Sequence, residues 1–477
     1  MALSNKSKYK LAYLLGDLAM SGLAIFLYNI CRYYIMEEEM LRQGFASLGI
    51  FMRANMVMVG QLCFPVAMAW IYWLSGYYNE VFRKSMLQEI STTFLSSFVC
   101  TMLVFFVALI NDTVIDHYQN YEMLLVLWGM IFVCIYPVRL SITLLVKRRV
   151  ARSGIEFPTL VVGCNDRAKE RVAELQRLKS KLGYNVVGFI SADSSHEHNV
   201  MGLPVFDVGN VEKACRQYGI TDIIVVPQHR NAQEVLHDIN KFFSLNLPIK
   251  VFPEDADLFL SRGRLATVYG ASLIDISYSN MTECETNLKR TSDVVLSFVA
   301  LVLLLPLFAI VAALIKCKSG GPVIFKQKRV GLHGKPFTIY KFRTMVVDAE
   351  ADGKPRLTRV DDERVLPFGH FMRKYRIDEL PQFWNVLIGD MSIVGPRPER
   401  QYFIDQIVEQ APYYTLLFQV RPGITSLGMV KYGYASSVEA MVERMRYDII
   451  YIENISFVTD LKIVIYTIRT VVTGKGL

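Results

Sequence analysis

The sequence is short of paired cysteines, of charge, and of glycine at one telling position, and each shortage excludes something. Its eight cysteines (Cys31, Cys63, Cys100, Cys134, Cys164, Cys215, Cys284 and Cys317) include no C-x-x-C pair, and four lie in apolar runs. They read as reduced thiols, neither a disulfide framework nor a zinc site. Only 20% of the 477 residues are charged, against 52% hydrophobic. That is too apolar for an ordinary soluble protein and too charged for a pure membrane bundle, so a membrane part with cytoplasmic domains is expected. The net charge of +8 comes without a basic stripe interleaved with aromatics. Nucleic acid is therefore not the expected partner, and the cations are assigned to cytoplasmic membrane edges.

Apolar stretches of roughly spanning length cover residues 11–34, 56–74, 94–110 and 123–146, predicting an α-helical four-span membrane bundle. The first is too long, and lacks the right cleavage site, for a signal peptide. Lys6, Lys8 and Lys10 precede the first span, Arg83 and Lys84 separate the second from the third, and Lys147-Arg-Arg149 follow the fourth. The other two loops carry Glu37-Glu-Glu39 and Asp112 with Asp116. The positive-inside rule then places both ends of the bundle in the cytoplasm. Ionisable residues are nearly missing from the spans, Asp17 being the exception near a cytoplasmic end, which argues against a transport pathway.

From Phe157 onward, short β-branched runs at residues 159–163, 186–190, 222–226 and 248–252 alternate with amphipathic stretches such as 166–181 and 232–243. The alternation predicts an α/β Rossmann-like cytoplasmic domain. Its first turn, Gly163-Cys-Asn165-Asp-Arg-Ala168, has Asn165 where a dinucleotide fingerprint needs a second glycine. A regulatory or assembly domain fits that turn better than a cofactor site. No Tyr-x-x-x-Lys pair accompanies it, against a nucleotide-sugar oxidoreductase.

Residues 294–315 form a fifth apolar run, with Lys289 and Arg290 before it, Lys316 and Lys318 after it, and Pro306 inside. Cations at both ends and a helix-bending proline predict a re-entrant membrane hairpin; a kinked spanning helix is the other reading by length. Downstream, residues 337–345 alternate like a strand and place Lys341 and Arg343 on one face, suited to a nucleotide diphosphate or simply to solvent. Next come Arg373, Lys374, Arg376, the adjacent Asp378 and Glu379, then Pro381 and the proline-flanked Arg397. Pro381 is expected to start a helix over 382–388 and to keep Leu380 out of the helical region. The two acids would then sit at a helix start, either as caps or, given the surrounding cations, as phosphate chemistry. Residues 413–418 and 457–472 read as interfacial or as core helices.

The motifs Lys341-Phe-Arg-Thr-Met345, Asp378-Glu-Leu-Pro-Gln382, 385–398 ending Gly395-Pro-Arg-Pro398, and Arg421-Pro-Gly-Ile-Thr425 resemble those of the bacterial monotopic phosphoglycosyl transferases. The likeness runs from about Asn287 to the end. The preceding half resembles that of the large-form members, the undecaprenyl-phosphate glucose and galactose phosphotransferases. The resemblance implies a mixed, mainly α catalytic domain with the re-entrant hairpin, and a division into 1–149 (spans), 150–286 (Rossmann-like), 287–318 (hairpin broken at Pro306) and 319–477 (catalytic). It implies transfer of a hexose 1-phosphate from a UDP-sugar to undecaprenyl phosphate, releasing UMP, at the cytoplasmic face of the bacterial inner membrane, for exopolysaccharide, capsule or O-antigen synthesis. Asp378 would be the nucleophile, Glu379 the Mg²⁺ ligand, and Lys341, Arg343, Arg373 and Arg397 the phosphate- and substrate-binding cations. A homodimer is expected. The rival reading is a membrane regulatory protein with an inactive transferase site. One departure is Leu305 before Pro306, where the family has serine.

Overall fold

The computed structural model describes residues 2–79, 86–106, 117–153, 156–177, 183–191, 199–226, 242, 245, 247–252, 264–265, 274–275, 281–346 and 362–473. The chain divides into two compact units, Met1–Ile155 and Glu156–Leu477.

The first unit is a helical bundle of Ala2–Ile35, Asn55–Leu74, Met86–Val104 and His117–Ser153. Tyr13, Tyr28, Met68, Tyr72, Leu127, Ile131 and Ile135 form its core. Met56, Leu62, Val66, Leu125 and Val133 are exposed, as a lipid-facing surface requires. Among the described residues, four helices are long and apolar enough to cross a membrane: Ser7–Ile35, Asn55–Leu74, Tyr121–Arg149 and Glu283–Ser319. The expected third span is instead a shorter apolar helix, Glu89–Val104; its last residues, 107–110, and the charges Arg83, Lys84, Asp112 and Asp116 lie outside the described residues.

One reading needs correction. Arg139 lies inside the expected fourth span and is fully buried. Its Nε and Nη2 each donate to Asp17 at 2.6 Å, and its guanidinium lies 3.6 and 3.7 Å from the ring centroids of Tyr72 and Tyr77. Tyr78 also donates to Asp17 at 2.7 Å, while Glu89 accepts from Tyr77 at 2.5 Å and Thr143 at 2.7 Å. A buried charge survives only when paired and hydrogen-bonded, and this network ties all four helices together.

In the second unit the four expected strands are present, in an eight-stranded mixed sheet whose central strands are parallel. Helix Asp166–Arg177 covers one face through Ala168, Val172 and Leu175. Helix Val211–Tyr218 covers the other; most of the expected helix 232–243 lies outside the described residues. Gly163 has φ +111°, and a Cβ there would sit 2.7 Å from the Val226 carbonyl oxygen, so only glycine fits. Asn165 Oδ1 accepts from Ala168 N at 2.8 Å. The residue replacing the second glycine therefore caps the helix with its own side chain.

Residues 283–319 form one α-helix, entered through a Thr282/Glu285 capping box and left at Gly320, φ +64°, with Pro306 inside. The expected hairpin is thus drawn as a single helical element. Its middle is bare: Leu296, Phe298, Leu303, Leu305 and Ile310 are exposed. Beyond it, strands Ile324–Val330 and Pro336–Phe342 pair antiparallel, followed by helices Pro367–Lys374, Gln382–Ile388, Gln401–Gln410, Val438–Glu453 and Phe457–Val472. The last two are capped by Ser437 and Ser456. Their inner faces (Met441, Met445, Tyr451, Ile463) join Val394, Ile404 and Ile407 in the core; outer residues Phe457, Leu461, Ile465 and Ile468 are exposed. The 3₁₀ segment Pro412–Gln419 serves two cores, with Tyr414 and Leu417 in this one and Leu416 in that of the sheet.

Candidate active site

Five of the cations and acids read from sequence, Lys341, Arg376, Asp378, Glu379 and Arg397, converge on one turn. Helix Pro367–Lys374 ends, and Arg376 takes a left-handed conformation at φ 54°, ψ 24°. A non-glycine residue held there stores strain of about 1–3 kcal/mol, of the kind that collects at functional sites. The reversal starts the 3₁₀ turn Ile377–Glu379, in which Asp378 and Glu379 are 8% and 7% exposed. Contrary to the sequence expectation, Leu380 is helical at φ −56°, ψ −35°. Its N–H donates to Ile377 O at 3.3 Å and its side chain packs in the cluster of Phe342 and Met372. These contacts override the steric preference set by Pro381, and the turn runs without a break into helix Gln382–Ile388.

The two acids are treated differently. Glu379 Oε1 accepts from Lys341 Nζ at 2.7 Å and Arg397 Nη2 at 3.2 Å, and Oε2 from Arg376 Nη1 at 3.3 Å. Burial works against its charge, but Lys341, then Arg397 and Arg376, hold it well below the usual carboxylate range. Asp378 has no hydrogen bond or ion pair to the described residues. Burial pushes it up to about 6; Lys341, Arg373 and Arg397 oppose this and Glu379 adds to it. Neighbouring carboxylates with opposite shifts mark a division of labour.

Other predicted residues stand further off. Arg373 Nε donates to Thr344 Oγ1 at 2.9 Å, and Arg343 Nε to the Pro322 carbonyl at 2.9 Å, so Arg343 is tied to backbone while Lys341 reaches the dyad. Pro306 lies in the long helix. No group of three or more His, Cys, Asp or Glu able to hold a metal occurs among the described residues. Two adjacent carboxylates do fit a divalent cation that takes its remaining ligands from a diphosphate, as Mg²⁺ commonly does.

Sequence reading missed the frame. Asn385 Nδ2 donates to Thr338 O at 2.7 Å and its Oδ1 accepts from Tyr340 N at 3.1 Å, fixing the Lys341 strand to the helix after the dyad. Arg397 is aimed by a pairing of two motifs: Gly395 N donates to Thr425 O at 3.0 Å and Gly423 N to Pro396 O at 2.9 Å. A Cβ on Gly423 would lie 2.1 Å from Gly395 N, so both backbones need glycine for this approach. Behind it, Glu399 accepts from Arg444 at 2.5 Å and Arg329 at 3.0 Å. Asp448, which burial raises to about 6, accepts from Gly428 N at 2.8 Å. The long helix is moored to the same frame: Arg290 donates to Val386 O and Leu387 O, Lys289 to Val394 O and Asp460, and Asp293 accepts from Ser392.

Comparison with known proteins identifies the family. Residues 284–474 match the family described as bacterial sugar transferase. The UDP-glucose:undecaprenyl-phosphate glucose-1-phosphate transferase of Klebsiella pneumoniae is 31% identical over 324 residues, 68% of this chain and 67% of that protein. The chain belongs to the bacterial sugar transferase family. A second member, the UDP-N-acetylgalactosamine-undecaprenyl-phosphate N-acetylgalactosaminephosphotransferase of Aeromonas hydrophila, is 44% identical to this transferase over 189 residues, 40% of this chain and 44% of that one. The Escherichia coli K12 glucose-1-phosphate transferase is 31% identical over 63% of this chain and 65% of its own. This transferase thus spans under half of the Aeromonas protein's length and about two thirds of the other two. The Lys341 strand, the acidic dyad, Arg397 and their supporting helices all fall inside the matched region.

Proposed function

We propose that this sugar transferase moves a sugar 1-phosphate from a UDP-sugar to undecaprenyl phosphate, giving undecaprenyl-diphospho-sugar and UMP. One observation carries the reading: Glu379 is pinned by three cations while the adjacent Asp378 carboxylate is buried and has no partner among the described residues. A nucleophile must be free to move onto phosphorus, and the charge beside it must be held in place.

In the proposed reaction a carboxylate oxygen of Asp378 attacks the sugar-bearing phosphorus. The bond from that phosphorus to the bridging oxygen breaks, and UMP leaves with the electron pair. An oxygen of the lipid phosphate then attacks the same phosphorus, breaking the bond to Asp378 and restoring its carboxylate. Lys341, Arg373 and Arg397 supply positive charge around the phosphoryl oxygens, with Arg343 at the nucleotide end. Glu379 would hold Mg²⁺ together with the diphosphate, and when bound it neutralises charge on the transferring group.

The same proposal keeps the active site on the cytoplasmic face of the inner membrane, with the long helix entering and leaving by one leaflet. The anchoring supports it: Lys289, Arg290 and Asp293, ahead of Pro306, and Leu307, Phe308, Val311 and Ile315, behind it, all pack on the same folded domain. Both ends resting on one domain favour a helix that stays with one leaflet over one that crosses. The exposed apolar face of Phe457–Val472, with Phe457, Leu461, Ile465 and Ile468, suits a helix lying in the interface. The sheet is read as a Rossmann-like regulatory domain without a dinucleotide, because Asn165 already caps the helix where pyrophosphate would sit. A homodimer in exopolysaccharide, capsule or O-antigen assembly completes the proposal.

The test is UMP release by purified protein with undecaprenyl phosphate, Mg²⁺ and a panel of UDP-sugars, beside Asp378→Asn. Release with one donor, lost in the variant and on chelation, is expected. Equal release by the variant would refute the role of Asp378, and no release by folded protein with any donor would return the regulatory reading.

A further inference from the structure

Asn385 is fully buried, and its side-chain amide is spent on holding one strand. Among the described residues the sheet of Ile324–Val330 and Pro336–Phe342 has two strands, so one edge of the second is open. Asn385 closes that edge much as a peptide group of a third strand would. It gives an N–H to Thr338 O at 2.7 Å and takes the N–H of Tyr340 at 3.1 Å, and its Nδ2 also lies 3.5 Å from Asp390 Oδ2. The helix that carries it is fixed at its far end. There Arg290 of the long helix donates to Val386 O at 2.7 Å and Leu387 O at 3.1 Å, and Arg421 donates to Gly389 O at 3.0 Å. The residue after Tyr340 is Lys341, whose Nζ meets Glu379 Oε1 at 2.7 Å. One amide thus fastens the strand of the cation to the helix that follows the acids. Arg397 reaches the same oxygen at 3.2 Å from a different loop, held by Gly395 N on Thr425 O and Gly423 N on Pro396 O.

We propose that Asn385 is a positioning residue for the transfer: it sets the register of the Lys341 strand against the acidic dyad, and it acts through Lys341 and not through Arg397. The proposal rests on the reaction given above, in which Lys341 neutralises charge on the phosphoryl oxygens. Among side chains only those of Asn and Gln carry an N–H donor and a carbonyl acceptor on one carbon, and Gln, one methylene longer, would push the strand away. A catalytic group misplaced by about 1 Å can lose roughly 100-fold in rate.

The experiment is a double-mutant cycle on the full-length protein in detergent. It reads single-turnover UMP release with undecaprenyl phosphate, Mg²⁺ and either UDP-glucose or UDP-N-acetylgalactosamine. Asn385→Leu removes both strand bonds at similar volume, and Asn385→Asp keeps the shape but sets an oxygen against Thr338 O. Each is made in wild type, in Lys341→Met and in Arg397→Lys. Asn385→Leu should slow release roughly 100-fold in wild type. It should cost less than about threefold in Lys341→Met, where the group it positions is already gone, and again roughly 100-fold in Arg397→Lys. The melting temperature should fall equally in all three backgrounds, because the same two bonds are lost in each. A purely structural residue would instead slow all three backgrounds alike, and that result overturns the inference. A wild-type rate for Asn385→Leu overturns it too, as does a loss that vanishes in Arg397→Lys. Where the leucine variant does not fold, Asn385→Asp decides by the same comparison. Wild-type release that is unaffected by Asp378→Asn would instead remove the reaction on which the inference rests.

Discussion

Replacing the proposed nucleophile should make the protein more stable. A carboxyl with its pKa at about 6 in place of 3.8 has its ionised form disfavoured by about 3 kcal/mol, at about 1.4 kcal/mol per pKa unit. The raised value means that the folded state binds the proton more tightly than the unfolded chain does. The penalty is therefore absent below pH 4, grows between pH 4 and 6, and is complete above. Asp378→Asn keeps the shape and removes the charge, so at pH 7.5 it recovers up to about 3 kcal/mol, or roughly 6–12 °C in melting temperature. Thermal melts of both proteins in detergent from pH 4 to 8 provide the assay. The curves should coincide near pH 4 and separate through pH 6, with the variant higher and inactive. A variant that melts below wild type at pH 7.5, or a gap independent of pH, would refute the burial argument. The same ionisation predicts that wild-type UMP release rises with pH through about 6.

Other outcomes follow from neighbouring residues. Lys341 is the largest charge opposing the rise of Asp378, so Lys341→Met should carry the acid limb of the pH–rate profile above 6, and an unmoved limb would separate Lys341 from the dyad. Cys284 and Cys317 are exposed at the two ends of the long helix. Single-cysteine variants should both react with an impermeant maleimide from the cytoplasmic face; reaction from opposite faces would make the helix a crossing.

What could be read from the sequence was local. Lys341, Asp378, Glu379 and Arg397 announce themselves because acids and cations are dense in short runs, and the helix after Pro381 follows from its ring. The rule for the residue before proline failed at Leu380, where a packed side chain outweighed a weak steric preference. Arg139 was lost within an apolar run because hydropathy averages over a window and its partner is 122 positions away. The left-handed Arg376 and the pairing of Gly395 with Gly423 leave no local trace, since each depends on backbone brought together from distant parts of the chain.

Leu416 and Leu417 are sequence neighbours whose side chains belong to different cores, and the strand Gly423–Thr425 that steadies Arg397 begins six residues later. The two halves of this unit are thus joined as a mortise and tenon, and neither can loosen alone. Leu416→Ala should cost about 2–5 kcal/mol as a cavity in the sheet, yet its effect should reach the far side of the joint as faster hydrogen exchange at Thr425. By reciprocity, anything that tightens the sheet must also tighten the arginine loop. How firmly the sheet packs would then bear on how steadily the arginine loop is held.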